Sequence, residues 1–346
     1  MTSKTIDNIV WFIPSRKLRD NIRDYMNFTY NKINEINKPI RAWDRYLFIL
    51  FREDIKNDAN FYQKYLNLIK NLDKESVEIV IGILSKITNY NIEDDIYFSH
   101  KESKRLNDLY EEFNNKIIKI NEELFIYDKY ILPENNFELE AFYGKYGMDY
   151  VKNLNQVKNK NIIDAGAYIG DSAILFSDYT DKNIYSFEPF LHHYNMMLKT
   201  IELNKKNNII PVNMALGDSN KELSLYSNGD LNMGLSIDRN SEQSDINCIE
   251  NKVKMVTLDS YVKENNIEVG LIKTDLEGFE QSFLKGALET IKEQKHVLII
   301  SIYHNYSDFF EIKPMIEDLN LGYKFKIIEP KYQGAAIVST LLLAEV

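Results

Sequence analysis

Side chains able to do chemistry concentrate in a few stretches of the chain. The first is "NIIDAGAYIGDSAILF", residues 161–176. Asp164 ends a short apolar run, Gly166 and Gly170 follow four residues apart, and Asp171 opens the next apolar stretch. Glycines in such a turn let a ligand press against the backbone. A dinucleotide turn needs three of them, spaced G-x-G-x-x-G, to reach a pyrophosphate. Here Tyr168 stands where the second would be. The turn holds two carboxylates and no Lys or Arg, so it repels phosphate and suits an ammonium or sulfonium group. S-adenosylmethionine, a cationic nucleoside carrying an amino acid, has that polarity and is the expected cofactor.

A second stretch, "NIYSFEP", brings Glu188 to the end of the next strand, 24 residues after Asp164. An acid there can accept both ribose hydroxyls. Pro189 is expected to start the following helix, where its missing N–H does no harm. In "ALGDSN" (215–220), Ala215 and Leu216 are expected beside an adenine ring, and Asp218 reads as a turn residue.

The third stretch, "LIKTDLEGFEQSFLKGA" (271–287), gathers Lys273, Asp275, Glu277 and Glu280 around Gly278. Ionisable groups at a strand's end are costly to bury without a purpose. Asp275 is expected to project into the ligand crevice. The next strand runs into Ser301, Tyr303 and His304, which should bring His304 towards Asp275. A hydroxyl nucleophile needs a base as a bond forms to its oxygen. Histidine, with a pKa of about 6.5, serves better near neutrality than a carboxylate at about 3.9. His304 is therefore the expected base. Asp275 would orient it or contact the methionine end of the cofactor, and Glu277 is grouped with them as catalytic. No metal is expected. Asp275 and Glu277 lie two apart, and on one strand they would point to opposite faces. They share an ion only if the strand has already ended.

These residues need a scaffold. After about residue 155, short β-type runs alternate with helical ones: "KNIID", "NIYSF", "IIPVNMAL", "VGLIKTDL" and "HVLIISIY" are the strands. Such alternation means parallel pairing through right-handed crossovers, a doubly wound α/β sheet. The final runs, "YKFKII" and "GAAIVSTLLLAEV", are joined by "EPKYQG", too short for a crossover helix, so they should pair antiparallel. Before residue 155 the spacing is helical, as in "FYQKYLNLIKNL" and "SVEIVIGILSKI". The expected division is a helical region at 1–135 and a cofactor-binding domain at 136–346.

The chain has 346 residues and a net charge of −10, which argues against a nucleic-acid partner. Residues 1–50 depart from this, with nine Lys/Arg against five Asp/Glu. Residues 11–23 set Arg16, Lys17, Arg19 and Arg23 beside Trp11 and Phe12, so a peripheral contact with an anionic membrane is the alternative to a solvated helix face. One cysteine, Cys248, allows no internal disulfide and suits a reducing compartment. No signal peptide or spanning run is seen, so a cytoplasmic chain is expected. The sequence sets no oligomeric state.

Taken together, "IIDAGAYIGDSAILF", "IYSFEP", "ALGD", "VTLDSY", "LIKTDLEGFEQSFLKGA" and "SIYHNYSDFFEI" resemble the FkbM family of S-adenosylmethionine-dependent methyltransferases, in the family's order over roughly residues 160–315. The resemblance implies a class I methyltransferase-like, doubly wound seven-stranded sheet with an antiparallel last strand. It implies methylation of a hydroxyl on a sugar, glycan or similar small acceptor. It also implies a cofactor role for Asp164, Gly166, Gly170, Asp171 and Glu188, and an active-site role for Asp275, Glu277 and His304. Residues 1–140 and the tail from Lys326 fall outside the pattern, and either could select the acceptor. One rival reading is a nicotinamide-dependent oxidoreductase or epimerase, against which Tyr168 argues. The other is a non-catalytic cofactor-binding module, against which the acid-rich fourth strand argues.

Overall fold

Strands buried on both faces must be largely apolar, and "VGLIKT" and "VLIIS" meet that condition except at Lys273 and the terminal Thr274 and Ser301. They form the centre of the main sheet. The computed structural model describes residues 42–89, 100–227, 249–329 and 337–346. Residues 11–23 and Cys248 lie outside the described residues.

The described chain opens with helices α1 (Ala42–Asn57), α2 (Phe61–Ile69), α3 (Lys74–Asn89) and α4 (His100–Asn114). Strands β1 (Ile117–Asn121), β2 (Leu124–Tyr127) and β3 (Tyr130–Leu132) follow as an antiparallel sheet. The expected mostly helical region before residue 135 thus ends in a short antiparallel sheet. "KIIKINEELFIY" alternates with a strand's period, and short turns let it fold back on itself. Next come α5 (Leu139–Phe142), a 3₁₀ segment (Lys145–Tyr150) and α6 (Leu154–Lys158).

The doubly wound part runs β4 (Asn161–Ala165), α7 (Asp171–Phe176), β5 (Ile184–Phe187), α8 (Leu191–Leu203) and β6 (Ile209–Val212). A small sheet of β7 (Ala215–Leu216), β8 (Lys221–Ser227) and β9 (Ile249–Val256) interrupts it. Then follow α9 (Leu258–Asn265), β10 (Val269–Thr274), α10 (Glu280–Lys285), α11 (Leu288–Gln294), β11 (Val297–Ser301), α12 (Tyr306–Glu317), β12 (Lys324–Ile328) and β13 (Leu341–Glu345). The seven-stranded order is β12-β13-β11-β10-β4-β5-β6, with β13 antiparallel to both its neighbours. The expected doubly wound sheet with an antiparallel last strand is present.

Successive strand residues divide between two cores, as the period of two demands. Ile163, Ile272, Ile300 and Leu342 face one, and Ile162, Leu271, Ile299 and Leu341 face the other. The first core also takes Leu47, Phe48, Phe51, Leu68, Val80 and Ile83 from α1–α3. Phe51 meets Tyr306 and Phe309 edge-on, with centroids 6.1 and 6.2 Å apart. Polar ties reinforce this: Tyr306 donates to Asp58 at 2.9 Å, and the Ile327 N–H donates to the buried Ser76 hydroxyl at 3.0 Å. The helices before residue 90 are thus part of the sheet's own core.

Three boundaries differ from the sequence reading. The third strand stops at Val212, and Ala215–Leu216 pair with β9 in the small sheet. The helix after β5 starts at Leu191 rather than at Pro189, with Phe190 before it in extended conformation. The fourth strand ends at Thr274, one residue short of Asp275.

Because α1 shares the sheet's core, Phe51→Ala should lower the unfolding free energy of the whole protein by about 3–5 kcal/mol. Urea denaturation should show one shifted transition by both far-UV and near-UV signals. A loss under about 1 kcal/mol, or a separate early transition, would detach α1 from that core.

Candidate active site

The carboxyl ends of β5, β4, β10 and β11 lie side by side, which places four loops at one edge of the sheet. In the loop after β4, Gly166 and Gly170 have φ of 80° and 86°. Tyr168 between them is also left-handed, at 46°. A Cβ on Gly166 would stand 1.9 Å from the Asp275 carbonyl oxygen, so two loops touch backbone to backbone there. The Gly166 and Ala167 N–H groups donate to the Phe187 carbonyl at 3.1 and 3.0 Å.

Glu188 is buried, and its carboxylate already works within the protein. One oxygen accepts the Tyr168 N–H at 3.0 Å and the other the Phe190 N–H at 2.9 Å. Glu188 therefore clamps the glycine turn to the start of α8, and a ribose would have to use its remaining lone pairs. The Tyr168 ring meets His193 edge-on at 4.5 Å. Pro189 and Glu188 are joined through their carbonyls to the Asn213 side chain at 3.0 and 2.8 Å. Ala215 and Leu216 belong to the small sheet, their backbone paired with Met255 and Val256.

Beneath the turn lies Lys273, 1% exposed. It stands directly across from Asp164 in the β10–β4 register. Its ammonium lies 3.2 Å from an Asp164 oxygen, donates to the Gly166 carbonyl at 2.7 Å, and sits 5.0 Å over the Tyr146 ring. Burial alone would lower the lysine's pKa, but Asp164, Asp275 and Asp171 outweigh it and raise it. The other Asp164 oxygen accepts from Ser172 at 2.7 Å. Burial pushes the Asp171 carboxyl up to about 6, with Lys273 pulling against that shift.

Beyond the turn, four ionisable groups converge. Asp275 and Glu277 lie in the loop between β10 and α10, Glu280 is the first residue of α10, and His304 follows β11. His304 Nε2 is 3.3 Å from an Asp275 oxygen and 3.7 Å from a Glu277 oxygen. Its Nδ1 is 3.0 Å from Glu280 Oε1. Glu280 therefore stands nearest Nδ1 and Asp275 nearest Nε2, and neither contact has the geometry of a hydrogen bond. Glu280 Oε1 accepts the Leu276 N–H at 2.7 Å, which anchors it. Glu277 has φ of 52°, Gly278 of 95°, and the Glu277 side chain is half exposed. Burial opposes the charge on His304, yet Glu280, Asp275 and Glu277 together raise its pKa well above the usual value.

Asp164, Gly166, Tyr168, Gly170, Asp171, Glu188, Asp275, Glu277 and His304 are thus brought to one edge of the sheet. Three further groups were assigned no role in the sequence, although Lys273 and Glu280 stand in the same stretch as Asp275 and Glu277. Glu280 reads in sequence as an ordinary acid in a helix's first turn. Lys273 had a signal, a lone charge inside a largely apolar strand. Glu140, on α5, had none. It is buried, its Oε1 has no hydrogen-bond partner, and burial followed by the nearby Asp275 charge raises its pKa.

The Lys273–Asp164 pair yields a direct test. Lys273→Met keeps the bulk and leaves Asp164 buried without its cation, which should cost about 3–5 kcal/mol of stability. Denaturant titration of the variant checks this. A cost below about 1 kcal/mol would show that Ser172 and backbone groups satisfy Asp164 unaided.

Comparison with known proteins adds the family. The model of the methyltransferase FkbM domain matches residues 164–325, just under half of the chain. Comparison with curated protein sequences gives no match. Among solved structures, methyltransferase FkbM from Methylobacillus flagellatus KT superposes with a TM-score of 0.51 at 16% identity, covering 84% of this chain and 60% of that one. The tRNA m1G37 methyltransferase of M. jannaschii gives 0.36 at 17% identity, over 66% and 57%. A Streptococcus mutans protein described as a methyltransferase, in complex with SAH, gives 0.35 at 12% identity, over 61% and 99%. This chain therefore spans less than two thirds of the length of the first two. Residues 164–325 carry the sequence pattern of the methyltransferase FkbM domain, set in the fold expected of it.

Proposed function

We propose that the protein is an S-adenosylmethionine-dependent O-methyltransferase acting on a hydroxyl of a sugar, glycan or similar small acceptor. The observation that carries this reading is one juxtaposition. A glycine turn seated on the Lys273–Asp164 pair touches, through Gly166 and Asp275, the loop that holds the imidazole–carboxylate cluster. The FkbM domain match over residues 164–325 supports the methyltransferase part. The net charge of −10 supports an acceptor other than nucleic acid.

The residues present fit the cofactor. Gly166 and Gly170 take φ of 80° and 86°, which turns the loop's backbone tightly, and Asp171 and Glu188 bring carboxylates to it. Asp164, Gly166, Tyr168, Gly170 and Asp171 would hold its methionine end, and Glu188 its ribose. The adenine would lie towards Pro189, Ala215 and Leu216. S-adenosylmethionine, when bound, supplies a methyl group on a positively charged sulfur. The acceptor hydroxyl would lose its proton as it takes the methyl group, and His304 in its neutral form or the Asp275 carboxylate would accept that proton. The fold contributes alignment by holding two reactants at one sheet edge. It also contributes the cluster of His304 and Asp275, with Glu280 nearest the ring's Nδ1 and Glu277 half exposed beside Nε2.

Calorimetric titration with S-adenosylmethionine should give one site per chain, and Glu188→Ala should weaken it by about 2–3 kcal/mol. With an accepted sugar substrate, His304→Ala should lower S-adenosylhomocysteine formation by roughly a hundredfold or more while cofactor affinity holds. Asp275→Asn should lower both. Absence of cofactor binding would overturn the reading; near-normal turnover in His304→Ala would reassign the cluster.

A further inference from the structure

We propose that Asp275, Glu280 and His304 hold a divalent cation of the magnesium or manganese class. The first support is geometric. One ligand atom from each of these residues lies within 4.8 Å of the others. Two ligands on opposite sides of one ion, at about 2.1–2.4 Å each, are about 4.2–4.8 Å apart. The set therefore fits around a single ion.

The second support is independent of spacing. Glu280 is 0% exposed, and its Oε2 has no hydrogen-bond partner. Both ring nitrogens of His304 are also buried without a hydrogen bond of proper geometry, although carboxylates stand 3.0–3.7 Å away. Buried carboxylates are normally hydrogen-bonded, paired or metal-bound. The third support is charge. Asp275, Glu277 and Glu280 surround one imidazole, which can return a single positive charge at most. Lys273, which acts on Asp275 from a distance, is already engaged by Asp164 and the Gly166 carbonyl. The cluster carries an excess of negative charge.

The chain's geometry permits the site. β10 ends at Thr274, so Asp275 does not stand on a strand with Glu277, and the objection from opposite faces lapses. The three ligands come from a strand end, a helix start and a second strand end, all packed into the sheet domain. Carboxylates with imidazole are the donor set for magnesium and manganese. Glu277, half exposed, lies on the open side. This proposal deepens the methyl-transfer reading and rests on it for its purpose. An ion here would draw electron density from an acceptor hydroxyl; His304 would then act as its ligand, and the proton would pass to the half-exposed Glu277 carboxylate.

The test uses the full chain, stripped with a chelator, and manganese chloride alone, with neither cofactor nor acceptor. Free manganese is followed by electron paramagnetic resonance. One ion per chain should bind with a Kd below about 1 mM. Glu280→Gln and Asp275→Asn should each weaken binding by at least about tenfold. Circular dichroism checks folding, and Asp275→Asn is decisive should Glu280→Gln fail to fold. Absence of binding to the wild type, or equal binding to a folded variant, overturns the proposal. A parallel titration with S-adenosylmethionine in chelator keeps the two readings apart. Failure there sinks methyl transfer and leaves the manganese result standing.

Discussion

An ammonium group withdrawn from water must be answered by oxygen, and the site is arranged around the answer given to Lys273. Asp164 meets it across the strand pair, and the Gly166 carbonyl meets it from the turn. Leaving either partner unanswered would strand a charge in a low-dielectric core, at a cost of several kcal/mol. The pair therefore fixes the end of β4 against β10. That fixes the turn above it, and the turn's bare Gly166 sets how closely the Asp275 loop can approach. Asp275 and Glu280 then decide where His304 points.

The residues before the family match also shape this site. Glu140 and Tyr146, on the segment that leads into β4, reach the surroundings of Lys273 and Asp275. Burial and the neighbouring carboxylates push the Tyr146 hydroxyl up, and burial with Asp275 pushes up the Glu140 carboxyl. The pocket's charge is thus set by both parts of the chain.

The doubly wound core was legible because its signals are local: short apolar strands, glycine at left-handed turns, acids at strand ends. Asp164, Gly166 and Gly170 belong to that class, and each stands where the spacing implied. What escaped was set by contacts distant in sequence. The role of Glu188 as a backbone clamp depends on Tyr168 and Phe190 N–H groups that only the folded turn presents to it. Glu280 rather than Asp275 stands nearest Nδ1 of His304 because β10 stops at Thr274, and strand ends are the least readable feature of a sequence. Residues 117–132 pair as strands although flanked by helical spacing, a choice made by their own alternation.

The seam between α3 and β12 has a consequence in time as well as in space. The Ser76 hydroxyl and the Ile327 N–H are separated by 251 residues of chain. Closing a loop of that length costs about 5 kcal/mol of chain entropy before any contact repays it. Strand pairs such as β4 with β5 close far shorter loops and repay sooner. That cost favours the docking of α3 only once the sheet's shorter-range pairs have formed.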